Sequence, residues 1–235
     1  MRNAAAEQTE RFTRFADREG RFFRALAKNQ RRDWFEQHRR EYEDGWLAPM
    51  KSCLAEVRDR LDAVYQRHPL AAPKVFRIHR DVRFSKDKSP YKTHIGGYVA
   101  IDGGGSGPSA AAALYLHLSV SETFVAAGQY MMDAGQLARF RAAVLDDADG
   151  RRLAAILKQL GRAGFTIGSH DTLQKVPRGF DPAHPRAELL KRKGLIVSFP
   201  TLPRGLLVQR RLVDWLVAHA KRAVPLVEWL ASAAE

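Results

Sequence analysis

The chain of 235 residues carries 39 Lys and Arg against 26 Asp and Glu, a formal net charge of +13, with 45% hydrophobic residues. That share supports a full globular core. No run approaches the roughly eighteen apolar residues of a membrane-spanning helix, and a single cysteine, Cys53, excludes an internal disulfide and a cysteine-built zinc site. The charged N-terminal stretch lacks the apolar segment of a secretory signal, so a cytoplasmic setting and no membrane partner are expected. The charge excess points toward acidic partners, either an anionic small molecule or nucleic acid. Arg supplies 28 of the 39 basic residues, a bias that GC-rich coding produces without selection for binding.

In chain order, residues 1–8 are small and polar and are expected to fray. Residues 9–235 read as one domain, with no repeat and no long linker. From Thr9 the spacing of Phe12, Phe15, Phe22, Phe23 and Leu26 predicts helix, with Gly20 as a break and Asn29 as the stop. Asp33 and Glu36 have capping-box spacing at the start of a second helix whose Trp34, His38 and Tyr42 share a face. Pro49 opens a third helix, ending near His68-Pro69. Residues 74–130 then alternate with period two and predict an antiparallel meander. Its strands are KVFRIHRDVRF, HIGGYVAI, ALYLHLSV and TFVAAGQYM. Asp133 and Gln136 predict another capping box, on a helix running to about Asp146. A short helix over 151–160, a strand at FTIGS, a Pro/Gly loop at KVPRGFDPAHP, a turn or two of helix at AELLKRKG and a strand at GLIVSFPT follow. The C-terminal stretch from Leu206 reads as helix, kinked or broken at Pro225. The fold class is α+β: an antiparallel β-meander packed against N-terminal helices and a C-terminal helix.

The first predicted strand and its turn, RIHRDVRFSKDKSPYKT, hold the densest charge. Six Lys or Arg and two Asp fall between Arg77 and Lys92. Period two puts Phe76, Ile78, Arg80, Val82 and Phe84 on a core face, and Arg77, His79, Asp81, Arg83 and Ser85 on a polar one. Arg80 then needs a buried partner or a bulge that turns it outward. Arg77 and Arg83 lie about 20 Å apart on a strand, too far for one phosphate. A small anion would use Arg83 with the turn lysines, whereas a polyanion would use the whole row. Pro90 holds Ser89 extended, and the amides and ammonium groups of the turn around Lys86, Lys88 and Lys92 suit an oxyanion.

Other patterns are read against chance. Ser85-x-x-Lys88 has the spacing of serine acyl-enzymes, but the companion motifs are missing. The glycines at 103–107 open no helix and lack the phosphate-loop lysine. His79, His94 and His117 would face one another on adjacent strands without a carboxylate pattern, so no metal is assigned. Trp34 and Phe35 could form an aromatic platform, though anchors at a helix start usually belong to the core.

The segment RIHRDVRFSKDKSPYKT resembles the signature of the mainly bacterial domain-of-unknown-function family 2461. The resemblance extends to NQRRDWFEQHRREYE, SETFVAAGQYMMDAGQLARFRAAV and LQKVPRGFDPAHPRAELLKRKGL. It implies no activity or cofactor, only that Arg77, Arg80, Asp81, Arg83, Phe84, Ser85, Asp87, Lys88, Pro90, Tyr91 and Lys92 stand where members look most alike. The downstream blocks add Lys175 and Arg178 beside a Pro/Gly turn, and Lys191 with Lys193, which would form basic walls if their loops closed over the first strand. Gln129 and Tyr130 would add hydrogen bonds and stacking.

Three readings follow. The first is a pocket for a phosphate-bearing or other anionic ligand, held by Arg77, Arg83, Ser85, Lys88, Tyr91, Lys92, Lys175 and Arg178. In it Tyr91, a phenol beside lysines, and Asp81 are the candidates for chemistry. The second is a nucleic-acid module tracking phosphates along Arg77–Lys92. The third is a structural ion-pair network of Arg80, Asp81, Arg83 and Asp87. Composition and pattern are silent on cofactor, reaction and oligomeric state.

Overall fold

The computed structural model describes residues 11–16, 20–65, 67–83, 86–103 and 107–234. The stretch expected to fray, 1–8, lies outside them. The N-terminal layer comprises α1 (Arg21–Lys28), α2 (Arg32–Gln37), α3 (Arg39–Tyr42), a π turn (Glu43–Leu47) and α4 (Ala48–Asp62). Strands β1 (Lys74–Val75), β2 (His94–Ala100), β3 (Ala111–Ser119) and β4 (Thr123–Gln129) follow. Then come α5 (Ala134–Leu145), α6 (Asp147–Arg162), β5 (Thr166–Gly168), α7 (Ala187–Leu190), β6 (Leu195–Ser198) and α8 (Leu212–Ala234). The six strands form one antiparallel sheet in the order β1-β2-β3-β4-β6-β5. The α+β arrangement is as the periodicities predict.

One face of the sheet is the core. Ile95 and Val99 of β2, Leu114, Leu116 and Leu118 of β3, Val125 of β4 and Val197 of β6 are buried with α4 and α8. Gly97 lets α4 approach, since a Cβ there would lie 2.6 Å from Leu54 Cδ1. Pro225 sits inside an uninterrupted α8 rather than breaking it. Lys221, whose carbonyl the proline leaves free, is exposed, and Leu226 and Val227 hold the helix down.

The N-terminal helix is shorter than its pattern. Phe12 and Phe15 are fully buried but lie on a non-helical segment, whose Phe15 and Ala16 amides bond to Leu207 and Gly45 carbonyls. The three-residue spacing therefore serves an anchored strap, and helix starts after Gly20 at φ 63°. Asp33 caps nothing: α2 begins at Arg32, and Glu36 instead grips Arg39 at 2.6 and 2.8 Å. The capping box at Asp133 and Gln136 is present in both directions. The helix expected over 151–160 begins four residues earlier because the Asp146 side chain caps it by accepting from the Ala148 and Asp149 amides. The third helix stops at Asp62, short of His68.

The α5–α6 junction depends on one cation. Arg186, nearly buried, donates from Nε to the Val144 carbonyl at 2.7 Å and from Nη2 to those of Leu145 and Asp146, each at 3.2 Å. Gly150 leaves the space, since a Cβ there would meet Arg186 Nε at 2.5 Å. Arg186→Ala is expected to cost about 2–3 kcal/mol, a melting point lower by about 4–12 °C. An unchanged melting curve would count against this account.

Candidate functional site

The signature segment folds as an irregular hairpin rather than a long strand. Beyond β1 its ladder continues through Phe76 N to Gly96 O at 2.9 Å, Lys92 N to Ile78 O at 2.8 Å and Arg80 N to Pro90 O at 2.8 Å. Among the described residues the pairing is last seen at Arg80. A bend at Ile78 breaks the alternation: Ile78 is buried in the core, while Phe76 is 37% exposed and packs on Tyr98 of the opposite face.

The tip is held by two ion pairs. Arg80 is half-buried and bonds Asp87 at 2.6 Å. Asp87 also accepts from the Ser89 amide at 2.9 Å and from the Ser89 hydroxyl, and these bonds hold its carboxyl below the usual range. Asp81 accepts from Arg83 Nε at 3.0 Å and Nη2 at 2.7 Å, which with the Arg83 amide pushes its pKa down to about 2. Lys88 donates to the Val82 carbonyl at 2.9 Å. Ser85 and Phe84 lie outside the described residues. Tyr91 is buried, stacked on Phe35 at 4.5 Å, and burial raises its phenol rather than the turn lysines lowering it.

Lys92 behaves differently from the tip lysines. It is half-buried, its ammonium stands 5.5 Å from the Phe76 ring centroid, and burial, Arg77 and Arg80 together lower its pKa. Nε of Arg80 is buried with no partner. This end of the hairpin therefore concentrates positive charge beside Phe76.

Phe76 borders the second face of the sheet. There Tyr98 of β2, Ala112, Tyr115 and His117 of β3, Phe124, Ala126 and Gly128 of β4, and Tyr130 just beyond it line an open cavity of about 400 Å³. The Tyr115 hydroxyl lies 2.9 Å from His117 Nδ1, and His117 Nε2 lies 3.8 Å from Glu122 Oε1, in the turn between β3 and β4. His117 stacks on Phe124 at 4.9 Å and faces His94 across the β2–β3 pair at 4.6 Å. Gly96 opposite makes room, because a Cβ would sit 2.9 Å from the Tyr115 hydroxyl. Burial, then the neighbouring His117, Lys92 and Arg80, pushes His94 down to about 4. Burial also lowers His117, and burial with Glu122 and Tyr130 raises Tyr115 to about 12.

Of the three histidines expected to meet, His94 and His117 do, while His79 packs against Phe35 and Tyr91. Among the described residues no three His, Cys, Asp or Glu side chains gather as metal ligands would. The segment carrying Lys175 and Arg178 lies at the β6 side: Thr172 bridges Arg192, Lys193 pairs with Asp171 at 2.6 Å, and Phe180 packs under Arg141. Three strands separate β6 from β1, roughly 19 Å between them at normal strand spacing. The downstream walls and the signature hairpin are thus not brought together by the sheet. Lys191 is engaged by Glu188 at 2.8 Å. Gln129 points to the core side, donating to the Ser109 carbonyl, whereas Tyr130 reaches the cavity and His170.

Sequence reasoning passed over Tyr115, Glu122, Tyr98 and Phe124. The signal was the alternation in ALYLHLSV, which sets Tyr115 and His117 on one face.

A family model described as conserved hypothetical protein (DUF2461) matches residues 20–229. No curated protein and no solved structure matches the chain.

Proposed function

The chain belongs to the DUF2461 family of conserved hypothetical proteins, and we propose from its geometry that the open sheet face binds a small molecule with a flat apolar body and an anionic group, a phosphate or a carboxylate. The observation that carries this is the cavity itself. At about 400 Å³ it falls in the size range of ligand sites, its walls are aromatic, and its floor is of small residues. Lys92 supplies the positive end beside Phe76, with Arg77 and Arg80 near enough to lower its pKa. An ammonium whose neighbours are other cations gains from any anion placed there. Arg83 and Lys88, engaged within the tip, hold the hairpin in shape. Among the described residues no helix is long and apolar enough to cross a membrane. A cytoplasmic setting suits Cys53, a thiol buried in the core.

The probe 8-anilinonaphthalene-1-sulfonate combines an aromatic body with one negative charge. It is expected to bind saturably at one site per chain. Ala112→Phe, which fills the cavity, should abolish binding, and Lys92→Ala should weaken it about tenfold, the loss of one charge-assisted contact. Binding that survives Ala112→Phe in a normally folded variant would overturn the reading. Affinity against salt separates the nucleic-acid alternative, since oligonucleotide binding along Arg77–Lys92 would fall by about 0.7–0.9 log units per phosphate per log unit of salt. The two ion pairs at the tip already engage Arg80 and Arg83 of that row.

A further inference from the structure

We propose that Tyr115, His117 and Glu122 form a proton relay that makes this cavity a site of proton abstraction from its bound ligand. The proposal rests on the cavity being a ligand site and adds the chemistry performed there.

Both nitrogens of His117 lie near oxygens: Nδ1 is 2.9 Å from the Tyr115 hydroxyl and Nε2 is 3.8 Å from a Glu122 carboxylate oxygen. The relay uses the tautomer with the imidazole N–H on Nε2, in which the Tyr115 hydroxyl donates to Nδ1. A donor, a base and a carboxylate behind the base make the arrangement by which proteins activate a hydroxyl. The ring cannot drift from it. Phe124 lies parallel at an interplanar angle of 14°, His94 covers the other strand, and His117 is only 8% exposed. Tyr115, His117 and Glu122 all line the cavity, so a ligand seated there meets the relay, in which the Tyr115 hydroxyl beside Nδ1 is the group assigned to take the ligand's proton.

The charges suit one direction of transfer. Burial keeps His117 neutral, hence able to accept at neutral pH. Tyr115 resists ionisation, so it transmits a proton instead of storing a charge. As an acidic C–H or O–H of the ligand gives its proton to Tyr115 Oη, the phenol proton passes to His117 Nδ1. The electron pair stays on the ligand as an enolate-like or oxygen anion, and the imidazolium is paired by Glu122. The groups facing His117 are Tyr115 on its own strand, His94 from β2 and Glu122 from the turn. Lys92 and Arg80 act on His94, and Tyr130 acts on Tyr115. The Lys92 ammonium by Phe76 would favour the anion formed. The ligand class is a planar molecule with a weakly acidic hydrogen, and Glu122 is a positioning residue.

The test uses 5-nitrobenzisoxazole with the full chain. Removal of its C3 proton forms the nitrile as the N–O bond breaks, and the electron pair of that bond leaves on oxygen as the yellow 2-cyano-4-nitrophenolate. The expected rate exceeds that of equimolar 4-methylimidazole at least a hundredfold, the span of positioned general-base catalysis. His117→Gln should remove it and Tyr115→Phe should lower it at least tenfold. Glu122→Gln should move the acid-side midpoint of the pH–rate profile further down with KM little changed, because the imidazolium loses its carboxylate. A rate no greater than methylimidazole, or one indifferent to His117→Gln in a variant with native circular dichroism, overturns the relay. If 2-cyano-4-nitrophenolate or the anilinonaphthalene probe still binds in that case, the cavity reading stands and only the relay fails. If neither binds, both fall.

Discussion

Gly194→Ala is expected to be among the most destabilising single-methyl additions in this chain, at about 3 kcal/mol or more. A Cβ at Gly194 would lie 2.0 Å from the Tyr130 carbonyl oxygen, 2.7 Å from its carbon and 2.9 Å from the Gln129 carbonyl oxygen. All three are backbone atoms at the end of β4, where Gln129 pairs with Leu195, so no rotamer can relieve the clash. Either β6 separates from β4 or the chain at Tyr130 shifts. The melting point should fall by at least about 6 °C. Because Tyr130 lines the cavity, probe affinity should fall with it. Gly161→Ala is the control. Nothing lies within 4 Å of a Cβ there, and the site is helical, so the change should be neutral or stabilising by up to about 1 kcal/mol. Equal melting points for the two variants would refute the packing argument.

Local signals carried the fold well. The three later strands of the meander and the Asp133–Gln136 capping box are specified within a few residues, and all are present, whereas of the first predicted strand only Lys74–Val75 forms one among the described residues. What failed depended on tertiary contact. Phe12 and Phe15 have helical spacing, but the segment is held by the Phe15 and Ala16 amides bonding to the Leu207 and Gly45 carbonyls far along the chain. Phe76 and Ile78 share a parity, yet a bend sends one to the open face and the other to the core.

The site was legible only in halves. The meeting of His94 with His117 followed from strand adjacency, and the pairs Arg80–Asp87 and Arg83–Asp81 join residues the charge pattern had singled out. Tyr91 is near lysines in sequence, but its ring packs on Phe35, and sequence proximity says nothing about that. Glu122 and Tyr115 escaped notice because their meaning depends on register. His117 is placed opposite Gly96 and Phe124, and only that pairing turns a tyrosine two residues away into its hydrogen-bond partner.

Acid should weaken the fold through the same histidines, and earlier than carboxylates would. His94 in the folded protein titrates at about 4 because burial and then His117, Lys92 and Arg80 disfavour its charge. In the unfolded chain it titrates near 6.5. At pH 7 both states hold it neutral and it contributes no pH-dependent term. As pH falls below about 6.5 the unfolded state takes up a proton that the folded state refuses, so stability declines until the folded group also protonates near 4. The difference corresponds to about 3 kcal/mol in full, and partial exposure of the ring reduces it to about 2. His117, lowered by burial, acts in the same direction. The depressed carboxylates Glu36, Asp81, Asp87, Asp146, Asp171 and Asp214 contribute with the opposite window. Their stabilisation is present above the unfolded carboxylate pKa and is lost only as pH falls through that value and below. The interval from about 6.5 to 4.5 therefore isolates the histidines. Urea unfolding at pH 7 and 4.5 should show this loss in the native chain and most of it removed in His94→Gln, whose side chain cannot take up the proton. A variant that keeps the full acid loss would show that His94 is not the source.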